Sequence, residues 1–325
     1  MRAAWRDRYG GPEVVTVRDI DRPEPNGDQI LVRVRAASVN RADLDGLRPR
    51  WQWTRAFLGL RRPRNHMLGE DVAGVVEAVG PEVTGFKVGD KVMADLYSLS
   101  GGTFAEYVCA PERKFATMPT GMSFEDASTL PHSAVLAIQG LQQRNGRKVA
   151  AGEKALIVGA SGNVGPFAVQ IAKAWGAEVT GVASADKLEF VRSLGADHVI
   201  DYRKADSRRT GERYDWVLDV DAHHSLMSWR AALRPKGVYI TLGGSTTLML
   251  RMLVQVPILK LATDKSMGML MWSPFKATDV EALKVLISEG RLKPVIDRVY
   301  PLSEVAEALR HVDEGRAKGK VVLVP

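Results

Sequence analysis

The sequence predicts an α/β protein in which a β-rich module is joined to a doubly wound parallel-sheet domain. Three features carry that expectation. From Ala155 to Gly165 the chain passes from a short apolar strand through a glycine-rich turn into a helix. After Pro119, strand and helix patterns alternate, which is how a parallel sheet covered by helices reads. In the first 120 residues, short β-branched runs follow one another without such alternation, as in a compact barrel-like module.

The strand of the first feature, with Leu156, Ile157 and Val158, suits burial on both faces. Gly159, Gly162 and Gly165 follow at three-residue spacing. Pro166 fits a first helical turn, and Phe167, Val169, Ile171, Ala172 and Trp175 give the helix an apolar side. A second strand, Glu178 to Ala183, comes next. A turn without side chains lets the backbone approach a pyrophosphate, and the helix N-terminus offers free N–H groups and a positive dipole end. Gly159, Ala160, Ser161, Gly162, Asn163, Val164 and Gly165 are therefore read as a dinucleotide site, against the alternative of a purely structural βαβ turn.

In the β-rich module the strand candidates are Val14 to Val17, Ile30 to Val34, Val72 to Val79, Lys87 to Val92 and Thr103 to Cys109. Gly, Pro, Asn and Asp separate them, and residues 21–28 form a turn by composition. Between Leu47 and His66, six arginines (48, 50, 55, 61, 62 and 64) interleave with Trp51, Trp53 and Phe57. Such a stretch suits an exposed basic loop with its aromatics packed inward. It also suits a lip over an anionic or aromatic substrate, for which Trp51, Trp53 and Arg61 are the candidates. Nucleic-acid binding by phosphate contact and stacking is the third reading, and the least favoured.

Past Pro119, Ser123 to Ala127 opens a helix that the pattern extends to about Gln143. Strands are then expected at 155–159, 178–183, 197–200, 214–219 and 237–242, and helices at 165–175, 186–194 and 225–233. A last strand candidate, Met267 to Trp272, precedes helix 278–289, strand 295–300, helix 303–314 and strand 320–324, which are expected to return to the first module. The division is thus 1–122 with 274–325, and 123–273.

Composition narrows the function. The chain of 325 residues, 45% hydrophobic and 26% charged, has the make-up of a soluble globular protein. Its net charge of +7 suits an anionic partner, which a phosphorylated cofactor satisfies as well as nucleic acid does. The single cysteine, Cys109, excludes an internal disulfide and any zinc site built from several thiolates. The N-terminus carries charges where a signal peptide needs its apolar core, and Leu248 to Leu261 is too short to span a bilayer. A cytoplasmic location is expected, with neither nucleic acid nor membrane as partner.

Which nicotinamide cofactor is bound is decided at the ribose 2′ position, beyond the second strand. The usual acid is missing there, and Ser184, Lys187 and Tyr202 stand near it, a set suited to the 2′-phosphate of NADPH. Asp186 dissents, although Asp also caps helices. Gly243 and Gly244 follow the fifth strand, at the carboxyl end where ligands sit in such sheets.

These motifs together resemble the medium-chain dehydrogenase/reductase superfamily, in its zinc-independent, quinone-oxidoreductase-like branch. Matching stretches are ASVNRAD (37–43), GEDVAGVVEAVG (69–80), FKVGDKV (86–92), GGTFAEYV (101–108), GASGNVG (159–165), LGADHVIDY (194–202) and GKVVL (319–323). The resemblance implies a GroES-like catalytic domain over 1–122 and 274–325, a Rossmann NADP-binding domain over 123–273, and homodimers. It adds Lys320 to the cofactor-binding set. Zinc-dependent relatives carry a cysteine near 40 and a histidine near 70, where this chain has Asn40 and Glu70. His132 falls near a third ligand position, but one imidazole does not make a tetrahedral site, so no metal is expected.

Without a Lewis acid, alcohol oxidation is poorly served, whereas a quinone or α,β-unsaturated carbonyl is already electrophilic. NADPH-dependent reduction of such an acceptor is the expected function, with Asn40 as a donor to the substrate oxygen and Asp43 as a structural acceptor or acid. Two alternatives stay open: an enoyl-thioester reductase whose arginine-rich loop holds a phosphorylated carrier, and a nucleotide-binding sensor or structural protein with incidental turnover.

Overall fold

The computed structural model describes residues 1–49, 59–97, 101–143 and 146–325. In chain order the first elements are strands β1 (Arg2–Trp5), β2 (Thr16–Asp19) and β3 (Gln29–Val39), helix α1 (Arg41–Leu47), and strands β4 (Asp71–Val79), β5 (Lys91–Asp95), β6 (Tyr107–Pro111) and β7 (Phe115–Thr117). Helices α2 (Phe124–Ser128) and α3 (Val135–Gly140) follow. Then come β8 (Lys154–Val158), α4 (Gly165–Ala174), β9 (Glu178–Ala183), α5 (Leu188–Ser193), β10 (His198–Asp201), β11 (Tyr214–Asp219), α6 (Leu226–Trp229), β12 (Leu233–Thr241), α7 (Thr246–Ala262) and β13 (Ser266–Met269). The chain closes with α8 (Ala277–Ser288), β14 (Ile296–Pro301), α9 (Val305–Asp313) and β15 (Lys320–Val324).

Packing divides the chain into one unit of Met1–Val135, Pro274–Lys284 and Pro294–Pro325, and a second of Leu136–Ser273 and Val285–Lys293. The first boundary therefore falls at 135 rather than 122, because α2 packs on β3 and β4. Val285–Lys293 joins the second unit, where the Gln170 amide donates to the Lys293 carbonyl (3.0 Å) and accepts from its N–H (2.9 Å).

In the first unit the strands run β14-β15-β3-β4-β5-β7, with β6 also on β3, and β1 pairs β2 separately. Only β14 and β15 are parallel neighbours among these. Ile30, Val32, Leu44, Val72, Leu309 and Leu323 contribute to one core, so the last strand and helix do return to this module. In the second unit all described strands are parallel, in the order β10-β9-β8-β11-β12-β13. That order reverses direction between β8 and β11, the switch point beside which such sheets bind ligands.

Three departures from the sequence reading have physical causes. The single helix expected from Ser123 to Gln143 is broken: Pro131 has no N–H to donate to Ala127, and a wide helical turn, Leu130–Ala134, separates α2 from α3. Helix α1 was not anticipated; it starts at a reciprocal cap in which the Asn40 N–H donates to Asp43 Oδ2 (2.7 Å). Helix α7 was seen only as an apolar run, because both of its sides are apolar and no amphipathic period marks it. Leu248, Met252 and Leu259 are buried, while Leu250, Leu253, Val254, Ile258 and Leu261 are exposed.

Gly74 in β4 tests the close approach of the sheet, since a Cβ there would overlap the Arg33 carbonyl of β3. Gly74→Ala should cost about 1–3 kcal/mol, read as a lowered melting temperature.

Candidate functional site

The glycine turn is held by the strand beside it. The N–H groups of Gly159 and Ala160 both donate to the Val182 carbonyl of β9, at 3.1 and 3.0 Å. Gly159 has φ +80°, a backbone that glycine adopts without strain. A Cβ at Gly165 would collide with the Gly159 carbonyl and the Ala160 backbone, so this glycine lets α4 start close against the turn. Gly162 differs: a Cβ there meets only the Gly159 carbonyl, at 3.6 Å, an ordinary contact. The fold itself does not require glycine at 162. Ala160, Ser161 and Val164 are buried.

Around the carboxyl ends of the strands the other candidates gather. The Tyr202 N–H donates to the Ala183 carbonyl (3.2 Å), which sets Tyr202 beside Ser184. Ser184 and Lys187 are buried, while Asp186 and Tyr202 are exposed. Gly243 accepts from the Ala222 N–H (3.0 Å), joining the segments that follow β11 and β12. At the end of β11, Asp219 accepts from the Tyr239 hydroxyl (2.8 Å), and burial pushes its carboxyl up to about 6.

The first unit holds a second constellation, built by sheet register. Val321 of β15 pairs with Val39 of β3, which sets Lys320 beside Asn40. The Lys320 ammonium donates to Asn40 Oδ1 (2.6 Å) and Ser133 Oγ (3.0 Å), and lies 3.6 Å from Asp71 Oδ2. Asp71 also accepts from the Ser38 hydroxyl (2.8 Å), the Asn40 amide (2.9 Å) and the His132 backbone N–H (2.9 Å). Asp71 and Asp95 are direct partners across β4 and β5, an arrangement that repels when both are charged. His132, in the wide turn, bridges them: its N–H serves Asp71 and its Nδ1 lies 3.0 Å from Asp95 Oδ2. Glu70 Oε2 is 3.9 Å from the same Nδ1 and has no hydrogen-bond partner among the described residues.

Burial governs the charges of this cluster. It holds the Glu70 carboxyl well above the usual carboxylate range, with Asp43, Asp95 and Asp71 adding to the effect and Lys320 opposing it. Asp43 is pushed up to about 7, again by burial, against the hydrogen bond from the Asn40 N–H. Asp71 is raised by burial against the pull of Lys320, and Lys320 is lowered by burial against the pull of Asp71 and Asp43. For His132, burial lowers the imidazole, but the bond and charge of Asp95 with the charge of Asp71 outweigh it and leave the group raised.

With this geometry in view, comparison with known proteins is informative. An alcohol dehydrogenase GroES-like domain matches residues 26–120, and a zinc-binding dehydrogenase domain matches residues 194–323. A mitochondrial NAD(P)H oxidoreductase of mouse is 33% identical over 98% of this chain and 88% of its own. A chloroplastic quinone-oxidoreductase homolog of spinach is 32% identical over 100% of this chain and 98% of its own. The solved quinone oxidoreductase of Coxiella burnetii superposes with a TM-score of 0.87 at 28% identity, covering 100% of this chain and 99% of that one. The chain belongs to the quinone-oxidoreductase-like branch of the medium-chain dehydrogenase/reductase superfamily. It is a reductase of that type and uses a nicotinamide cofactor, which the glycine turn at the switch point of the second unit fits.

The zinc in the description of one matched domain does not fit the residues of this reductase. Asn40 and Glu70 stand where zinc-dependent relatives place ligands, and the Asn40 oxygen is taken by the Lys320 ammonium. A cation fixed at 2.6 Å from that oxygen competes with a metal for it. Among the described residues, no three His, Cys, Asp or Glu side chains are grouped to hold a metal ion.

Several site assignments shift. Asn40, expected to donate to a substrate oxygen, is 1% exposed; its amide nitrogen donates to Asp71 and its oxygen accepts from Lys320 and Ser133. Its visible role in this reductase is to hold the cluster together. Lys320, expected at the cofactor, is fully buried with its ammonium on Asn40, Ser133 and Asp71. Asp43 is the structural acceptor of the α1 cap. Arg61 is exposed, whereas Trp51 and Trp53 lie outside the described residues. Sequence reasoning did not name Asp71, Asp95 or Ser133; the Glu70-Asp71 pair was a visible signal, but its partners come from four other parts of the chain.

Two outcomes follow from these geometries. Gly162→Val should leave the melting temperature nearly unchanged and abolish fluorescence enhancement on adding NADPH, whereas Gly165→Ala should lower the melting temperature. The neutral Asp43 carboxyl stabilises the fold; this contribution is full below the unfolded value of about 4 and lost as pH rises through about 7. Asp43→Asn, which keeps an acceptor for the Asn40 N–H, should flatten the fall in melting temperature between about pH 4 and 8.

Proposed function

We propose that this reductase transfers hydride from NADPH to a quinone or an α,β-unsaturated carbonyl without a metal ion. The observation that carries the reading is the Lys320 ammonium on the Asn40 oxygen at 2.6 Å, in the place where zinc-dependent relatives hold their ion. Alcohol oxidation needs a positive centre to stabilise an alkoxide, and the surroundings here are rich in carboxyl groups. A quinone or enone needs no such activation, so positioning against the nicotinamide supplies most of the catalysis.

NADPH, when bound, supplies the hydride. The Gly159–Gly165 turn takes the pyrophosphate through backbone N–H groups at the start of α4, and Ser184, Lys187 and Tyr202 take the 2′-phosphate. Burial of Lys187 and Ser184 at the β9 end supports this assignment over a solvated helix start. Gly243 and Gly244 border the nicotinamide end, and nothing stands within 4 Å of where a Cβ of Gly243 would lie.

The protein is further proposed to work as a homodimer, joined through β13 and the outer side of α7. Strand β13 is the free edge of the described sheet, Met269 and Met271 are exposed beside it, and α7 adds Leu250, Leu253, Val254, Ile258 and Leu261. An apolar surface of this extent marks an interaction site. Leu253→Asp should yield a monomer by light scattering.

Cofactor choice gives the direct test. The protein should oxidise NADPH with a simple quinone or an alkenal, and should not reduce NADP with a secondary alcohol. Lys187→Ala should raise the KM for NADPH by about 10- to 150-fold, the equivalent of one charge-assisted hydrogen bond, and leave NADH nearly untouched. Equal use of both cofactors by the unchanged protein rules out the phosphate assignment.

A further inference from the structure

The second unit buries a carboxyl group that the glycine turn does not explain. Asp219 closes β11, is 1% exposed, and stands at the switch point beside β8. Its Oδ2 accepts from the Tyr239 hydroxyl (2.8 Å), whereas its Oδ1 is buried with no hydrogen-bond partner among the described residues. A buried carboxylate oxygen without a donor is costly, and protonation of the carboxyl lowers that cost. Burial opposes ionisation, aided by the Asp221 charge, against the Tyr239 hydroxyl, His223 and the Asp221 backbone; the balance puts Asp219 at about 6.

Two segments that border the glycine turn hang from this residue. Its neighbour Val220 donates its N–H to the Val158 carbonyl (3.1 Å), and a Cβ on Gly159 would meet the Val220 Cβ at 3.3 Å. Val220 therefore abuts the first glycine of the turn. The Asp219 carbonyl accepts from the Leu242 N–H (3.0 Å), and the Ala222 N–H donates to the Gly243 carbonyl (3.0 Å). Thr241, the register partner of Asp219, donates its hydroxyl to that same carbonyl (2.7 Å) and accepts the Gly243 N–H (3.2 Å). The turn after β8 and the glycines after β12 are thus fixed to one strand end that carries a buried acid. All of these groups belong to the second unit.

We propose that Asp219 is a positioning residue for the cofactor: neutral, it keeps Val220 against Gly159 and Gly243 against Ala222, and it takes up a proton when NADPH binds. This rests on the reading of the glycine turn as the NADPH pyrophosphate site. The phosphates bring negative charge to the carboxyl ends of the strands, where a charged Asp219 repels it. Ionisation also leaves Oδ1 in want of donors, which only movement of residues 220–222 or entry of water supplies. Binding therefore favours the neutral form: a solvent proton bonds to the carboxylate, and no other bond changes. By linkage, affinity is full below about 6, the value in the free protein, and is lost progressively as pH rises above it. The groups facing Asp219 are Tyr239 from β12, and Asp221 and His223 from the segment after β11.

The test uses the full chain and its Asp219→Asn and Tyr239→Phe variants. Calorimetric titration with NADPH at about pH 7, in buffers of different ionisation enthalpy, counts the protons bound. The unchanged protein should take up a larger fraction of a proton than Asp219→Asn does. Subtracting the variant removes the cofactor's own 2′-phosphate, which titrates at about 6. From about pH 6 to 8 the Kd for NADPH should rise about 3- to 10-fold more in the unchanged protein than in Asp219→Asn. Tyr239→Phe removes a donor that favours the ionised form, so its step should move to higher pH. Melting temperature reports that each variant is folded. Equal proton uptake, or parallel pH profiles of Kd, in the unchanged protein and Asp219→Asn overturns the proposal alone. An unmoved step in Tyr239→Phe overturns it equally, whether or not Asp219→Asn folds. A protein that binds no NADPH at any pH removes the cofactor reading, and the proposal with it.

Discussion

Lys320 brings its ammonium from the last strand into the buried interior of the first unit, and the unit is arranged around that fact. Stripped of hydration, an ammonium stays charged only if oxygen atoms surround it, and Asn40, Ser133 and Asp71 provide them. Each comes from a different part of the chain: the β3–α1 junction, the wide turn before α3, and the start of β4. The interaction therefore joins the C-terminal strand, the central strands and the turn in one knot. Satisfying Lys320 needs Asp71, satisfying Asp71 needs Ser38 and His132, and His132 brings in Asp95. Removal of one member strands another, which is why such a cluster is more sensitive to truncation than its net stability suggests.

What the sequence reveals here depends on distance along the chain. The glycine turn was legible because every part of its mechanism is local: strand, turn and helix lie within Ala155 to Ala174, and the spacing of three glycines carries the geometry. The charged cluster was not, since Lys320 and Asn40 are separated by 280 residues and meet only through the register of β15 on β3. Asn40, Asp43 and Lys320 were all identified as notable, but their partners within the protein were not, and so Asn40 and Lys320 were assigned outward-facing roles that their hydrogen bonds do not match. The same limit explains the helices. Strong periodicity revealed α4 and α9, whereas α7 gave no period because its outer side is as apolar as its inner one.

The two sites work by opposite means. In the second unit the turn acts through missing atoms. Gly165 lets the helix approach, and Gly162 leaves room that the fold itself does not use. In the first unit the side chains are everything, and their protonation states are set by burial rather than by solvent. Its behaviour must change across the neutral range, because Asp43 is poised at about 7 and Glu70 is held well above its ordinary value.

An acid-rich interior cannot ionise all at once. Fully ionised, its four carboxyl groups would outnumber Lys320 and His132, and burial favours the neutral form of Asp43 and Glu70. Asp71 is better served, with donors from Ser38, Asn40 and the His132 backbone. The charge state of the cluster is thus tied to the same burial that keeps Lys320 and Asp71 together.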